Sequence, residues 1–247
     1  MGLEQSKMRT APWLVALSLM LVSAIPIAVG IYVIVELAAG RVRPVTIRHI
    51  ASPSPVVLHV LAAAAFATLG ALQFVAAFRR QSPGWHRGVG RVLMMCGLIA
   101  GLSGMWMTLF HQRLPDTNDL LFAIRLVFSS AMLVFIVLGF AAIRRRNVPQ
   151  HRAWMMRAYA IGLGAGTQAL VSMAAEGVAG APDQMGKALL MGTAWLINLA
   201  IAELVVRRAR QWHPVQELSA NAAHSALASR NLSSPNSALP NQQGPTL

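Results

Sequence analysis

The sequence predicts an all-α protein, a bundle of helices that crosses a membrane six times. Three observations carry that prediction. Of 247 residues, 55% are hydrophobic and only 12% are charged, about half the ~25% charge of a soluble domain. Six apolar stretches are each long enough to cross ~30 Å of hydrocarbon as a helix: Pro12–Ala38, Val56–Phe78, Val89–Phe110, Leu120–Ile143, Trp154–Ala175 and Lys187–Val206. The charged residues fall almost entirely between them.

The first stretch follows a short basic segment, residues 1–11, that contains Lys7 and Arg9. It is about twice the 7–15 residues of a secretory h-region, and no clean small-x-small cleavage site follows, so it reads as a retained anchor. Pro26 is expected to bend it. The membrane domain then occupies residues 12–206, and Cys96 in its third span has no partner with which to build a disulfide framework. Residues 207–247 begin basic. From about Trp212 they turn rich in Ser, Asn, Ala, Pro and Gln, a composition expected to stay disordered on the cytoplasmic side.

A formal charge of +13 on a soluble chain would suggest nucleic acid. Here it sorts by loop. With the N-terminus cytoplasmic, fifteen of the 21 Lys and Arg residues fall inside, among them Arg79, Arg80, Arg144, Arg145 and Arg146. Six fall outside or near the outer face: Arg41, Arg43, Arg48, Arg113, Arg125 and Lys187. The positive-inside bias therefore puts both termini in the cytoplasm. The lipid bilayer and its anionic headgroups are the partners this charge implies, and nucleic acid has no support. Nineteen arginines against two lysines suggest a high-GC bacterial source and hence its inner membrane. Whether the chain forms a homo-oligomer or joins another membrane partner stays open.

Two segments of the chain repeat one pattern. Arg79-Arg80 precede His86-Arg87 and Arg91, and Arg144-Arg145-Arg146 precede His151-Arg152 and Arg157. The histidines are 65 residues apart, which predicts two parallel helical hairpins, spans two-three and spans four-five, related by an axis along the membrane normal. The same offset maps His111 to Glu176 and places His59 beside Arg125 of the second copy.

Several motifs in order resemble a known family. They are Leu58-His59, Gly70-x-x-Gln73-Phe74, His86-Arg87-x-x-Gly90-Arg91, Gly101-x-x-Gly104, His151-Arg152-x-Trp154-Met155-x-Arg157, and Asn198 followed by Ala202-Glu203. This set closely resembles a bacterial membrane family catalogued as domain of unknown function 2306, over residues 56–206. The resemblance implies the architecture and supplies no substrate.

The histidines are the candidate cofactor-binding residues. His59 and His111 fall at the outer side, His86 and His151 at the inner, on the rise of ~1.5 Å per residue along each span. Two histidines per leaflet loosely resemble the di-haem transmembrane cytochromes b, in which each iron takes an imidazole from two helices. Haem b is accordingly the leading cofactor candidate, with Arg87 and Arg152 placed to hold propionates. Against it, His86 and His151 read as lying in or beside loops. The simpler reading is interfacial: a His-Arg pair at a helix entrance anchors lipid phosphate, its long stem lying on apolar surface.

Arg125 and Glu203 fall within spans, where a charge must snorkel, pair or face a cavity. Arg125 can snorkel outward, and an i,i+4 ion pair to Arg207 is the expected state of Glu203. Gln73, Gln168 and Asn198 can bond across helices, and the polar set Arg125, Asn198 and Glu203 could line a pocket. The glycines Gly97, Gly101, Gly104, Gly162, Gly164 and Gly166 read as close-packing residues. No Walker loop, serine elbow, His-Glu metalloprotease motif or zinc-type cysteine spacing occurs, so no catalytic or metal-ligating set is assigned. Three classes remain: a redox protein using haem or quinone, a small-solute or lipid transporter, and a noncatalytic assembly or interaction protein.

Overall fold

The computed structural model describes residues 2–41, 53–75, 81–110 and 118–232, with side chains described from Trp13 to Ala209 within those ranges. Every element there is helical: α1 (Gly2–Ala38), α2 (Ser54–Gln73), α3 (Pro83–Phe110), α4 (Asp119–Arg144), α5 (Val148–Gly162), α6 (Gly164–Ala179) and α7 (Gln184–Leu232). Five segments among the described residues are long and apolar enough to cross a membrane: Trp13–Ala38, Ser54–Gln73, Pro83–Phe110, Asp119–Arg144 and Gln184–Ala209. Their outward faces carry exposed Leu102, Val127, Val137 and Leu196. Water would penalise such a surface, and lipid does not.

Local sequence explains where helices begin. Asn118 caps α4 by accepting from the Leu121 N–H at 2.8 Å, and Asp119 adds an acidic first turn. Asn147 caps α5 by accepting from the Gln150 N–H at 3.0 Å, with Pro149 in the first turn, where its missing N–H costs nothing. Between these two helices the chain reverses through Arg145, Arg146 and Asn147, and Arg146 takes a left-handed φ of 58° to do so.

Four helices close into a ring. α2 packs on α3, α3 on α4, α4 on α5, and α5 back on α2. α3 and α5 therefore occupy opposite corners, as do α2 and α4. The axis is filled by Phe66, Phe128, Met132, Ile136 and Tyr159. A Cβ on Gly97 of α3 would press on Phe66 and Ile136, and one on Gly162 of α5 would press on Phe66 and Met132. Each glycine thus looks at the bundle axis at the depth of Phe66, which fixes the register of α3 and α5 against α2. The Tyr159 hydroxyl donates to the Ala67 carbonyl at 2.7 Å and ties α5 to α2 just beside this level.

The predicted fifth span, Trp154–Ala175, is not one helix. It breaks at Leu163, which ends α5 and opens α6. Three glycines around the break lower the cost of the bend, and neighbouring helices bond the carbonyls it frees. Trp195 Nε1 donates to Ile161 O at 3.1 Å, and Asn198 Nδ2 donates to Ala160 O at 3.1 Å. The break lets α6 leave the ring and pack on α1. There a Cβ at Gly166 would collide with the Val22 carbonyl, the acceptor that Pro26, four residues on, cannot serve.

Residues 1–203 and 204–247 form separate compact units. In the second, the backbone is helical to Leu232, whereas the sequence predicts disorder from about Trp212. The alanines at 220, 222, 223, 226 and 228 explain the helix, since alanine has the highest intrinsic helix propensity. Residues 233–247 lie outside the described residues.

Candidate functional site

His86 is the fourth residue of α3 and His151 the fourth of α5. The loop placement expected from sequence is therefore corrected: each histidine stands in the first turn of its helix. His86 precedes Gly97 by eleven residues, and His151 precedes Gly162 by eleven. Eleven residues are about three turns, so each histidine points within roughly 20° of its glycine, toward the axis. Both also lie roughly 16 Å from the Phe66 level, in the same direction, at ~1.5 Å per residue. The two imidazoles thus approach from opposite corners at one depth, near the end that carries Arg87, Arg91, Arg144, Arg145, Arg146 and Arg152. With neighbouring axes 8–10 Å apart, opposite corners are separated by roughly 11–14 Å.

His151 is held in one orientation. Its Nδ1 lies 2.8 Å from the Gly139 carbonyl. A carbonyl only accepts, so Nδ1 carries the proton and the lone pair of the neutral ring sits on Nε2. Metal-ligating imidazoles are oriented by this kind of bond. Gly90 follows His86 by one turn on the same face, and a Cβ there would meet nothing within 4 Å. Arg87 and Arg152, each next in sequence to a histidine, are exposed. A donor set of two facing imidazoles, one with its tautomer fixed, beside open space and a basic rim, fits a bis-histidine haem.

The opposite end does not offer the same geometry. His59 on α2 donates from Nδ1 to Ala100 O at 3.0 Å, with Ser103 Oγ at 3.2 Å, and its ring lies against Gly104 of α3. Its corner-to-corner partner would come from α4, whose residues at that depth include Arg125 and Ser129 and no histidine. His111 lies outside the described residues, and α3, which ends one residue before it, is a direct neighbour of α2. The four-histidine, two-site arrangement is therefore supported at one end only.

The predicted polar pocket also separates. Arg125 is part-buried on the Phe128–Met132 face of α4, seven residues from Met132 toward the His59 end. Glu203 lies toward the other end, where Arg157 donates to its Oε2 from Nη2 at 2.6 Å and from Nε at 3.1 Å. Asn198 is bonded on both sides, accepting from Thr167 Oγ1 at 2.9 Å and donating to Ala160 O. Gln168 Nε2 reaches Met191 O at 3.4 Å. The expected ion pair of Glu203 within its own helix missed the partner that joins α5 to α7. No periodicity links residues 157 and 203, although both are charges inside apolar stretches, and that was the available signal.

A family described as "Predicted membrane protein (DUF2306)" matches residues 56–206, and the chain belongs to it. That segment contains the whole ring and the histidine pair. No curated protein and no solved structure matches the chain.

Proposed function

We propose that the chain is a redox protein of a bacterial inner membrane, holding one b-type haem between His86 and His151. The observation that carries this reading is the pair's common depth on opposite corners of the ring, with His151 oriented by the Gly139 carbonyl. In this reading the chain crosses the membrane six times, α5 and α6 together making the fifth crossing. Both termini are cytoplasmic, and the two hairpins α2–α3 and α4–α5 are copies of one unit. The 65-residue offset that relates His86 to His151 also relates Gly97 to Gly162, and both glycines abut Phe66. The basic end then meets anionic headgroups on the cytoplasmic face.

When bound, haem supplies one-electron chemistry. The chain supplies the rest. His86 and His151 ligate, the Gly139 carbonyl keeps the His151 proton on Nδ1, and Arg87 and Arg152 pair with carboxylates at the rim. Phe66, Phe74 and Tyr159, with ring centroids 5.2–5.7 Å apart, close the bundle above the site and keep water from passing. The transporter reading would use a discontinuous helix near the middle of the bundle. The break at Leu163 is one, but Trp195 and Asn198 bond the carbonyls it frees. The test is the oxidised and dithionite-reduced spectrum of detergent-purified protein from haem-replete cells. A stoichiometric Soret band with sharp reduced α and β bands, lost in His86→Ala and His151→Ala, is expected. A wild-type protein with no haem above trace sinks the proposal.

A further inference from the structure

One buried amide inside the bundle is not bonded. Gln73 Nε2 is shielded from solvent and has no hydrogen-bond partner among the described residues, whereas Asn198 and Gln168 spend theirs on neighbouring helices. Nδ2 or Nε2 groups left this way cost roughly 1–3 kcal/mol each, so they persist where something else meets them. Position says what that is. Gln73 follows Phe66 by seven residues on α2, two turns, and so faces the axis as Phe66 does. Gly90 precedes Gly97 by seven residues on α3, which puts it level with Gln73 across a space that no atom fills within 4 Å of its would-be Cβ. His86 and His151 lie four residues, roughly 6 Å, further toward the basic end. The amide therefore overlooks the gap between the two histidines from the corner between them.

From this we infer that Gln73 is a positioning residue for the group held by His86 and His151, donating its amide N–H to a carboxylate oxygen at that group's edge. The inference rests on the haem reading of the pair. A group ligated from α3 and α5 turns its edges to α2 and α4, and a b-type haem has carboxylates on its periphery. A neutral donor there offsets carboxylate charge and favours the reduced state, since hydrogen bonding and burial tune such potentials.

The test uses full-length protein purified from haem-replete and haem-starved cells, comparing wild type with Gln73→Met, a near-isostere without polar atoms, and Gln73→Glu. In the haem-free state Gln73→Met should melt at a higher temperature than wild type, because the unmet amide is gone. In the loaded state it should lose haem to apomyoglobin several-fold faster and show a lower reduction midpoint. Gln73→Glu, read in the loaded state alone, should lower the midpoint further through carboxylate repulsion. Loaded wild type and Gln73→Met with equal midpoints and equal haem loss would overturn the role of the amide alone. Haem-free Gln73→Met melting below wild type would overturn it too, marking the amide as structural. A wild type that takes up no haem overturns the histidine-pair reading, and this inference with it.

Discussion

Arg157 and Glu203 form an ion pair at 2.6 Å that joins α5 to α7, and the two side chains retain 16% and 34% of their exposure. Arg157 also lies over the Trp154 ring, 4.9 Å from its centroid. Two charges inside apolar stretches are tolerable because each answers the other. Removing one partner should cost more than removing both. Fully buried pairs lose about 3–5 kcal/mol when one charge is deleted, and the partial exposure here reduces that to about 1–3 kcal/mol. Glu203→Ala and Arg157→Ala should each lower the melting temperature in detergent. The double variant should lose less than the sum of the two, and an additive result would remove the pair from the account.

The two ends of the ring should respond differently to loss of a histidine. His59 is bonded to Ala100 and packed on Gly104, so His59→Ala is a packing and hydrogen-bond loss on the order of 1–3 kcal/mol. It should leave the reduced α band and its intensity unchanged in the protein that still folds. His151→Ala should abolish the low-spin spectrum at unchanged yield. If His59→Ala erases the band as completely as His151→Ala, the single-site assignment at the basic end is wrong.

The contact of Gly97 and Gly162 with Phe66 leaves no room for side chains. A Cβ would sit 2.8 Å from the Phe66 ring at Gly97 and 2.7 Å at Gly162. Overpacking a filled core typically costs about 1–3 kcal/mol. Gly97→Leu and Gly162→Leu should therefore reduce the monodisperse fraction on gel filtration. Phe66→Leu should recover a large part of that loss, because it withdraws the ring that both substitutions strike. Gly84→Ala and Gly88→Ala, where a Cβ meets nothing within 4 Å, are the matched controls and should behave as wild type.

The class of fold was legible because membrane burial writes itself in composition: long apolar runs between charges need no tertiary information. The 65-residue repeat was legible for the same reason, since arginine runs mark helix ends. What failed to show was where tertiary contacts override local pattern. The break at Leu163 lies within a continuous apolar run, and only the glycines and the distant Trp195 and Asn198 make it affordable. Arg157 and Glu203 are 46 residues apart, so their pairing belongs to helix packing. His86 and His151 were visible as residues, yet their placement inside first turns depends on Pro83 and on the Asn147 cap, which start the helices three to four residues earlier than the apolar runs do. Gln73 carried no signal beyond its type.

At Leu163 the chain trades helical bonds for tertiary ones, and that exchange can be measured. Trp195 stacks on Phe128, centroids 4.7 Å apart, and packs over Gly164 while its Nε1 donates to Ile161 O. Asn198 serves Ala160 O and receives Thr167. In a lipid-facing protein a lost donor is not replaced by water, so each carbonyl would be left unmet. Interhelical bonds in membranes average about 0.6 kcal/mol, reaching about 1.7. Trp195→Phe keeps the ring and removes the donor, and should cost about 1 kcal/mol. Asn198→Leu loses two bonds and should cost more. Gly164→Ala presses a Cβ into the Trp195 ring and should lower stability in the wild-type background but less so with Trp195→Leu. Hydrogen exchange in detergent gives the local check: amide protection at residues 164–167 should fall in Trp195→Phe and Asn198→Leu while that of α4 is unchanged. Uniform loss of protection along the chain would mean that the break is no weak point and that the helix would straighten without its two partners.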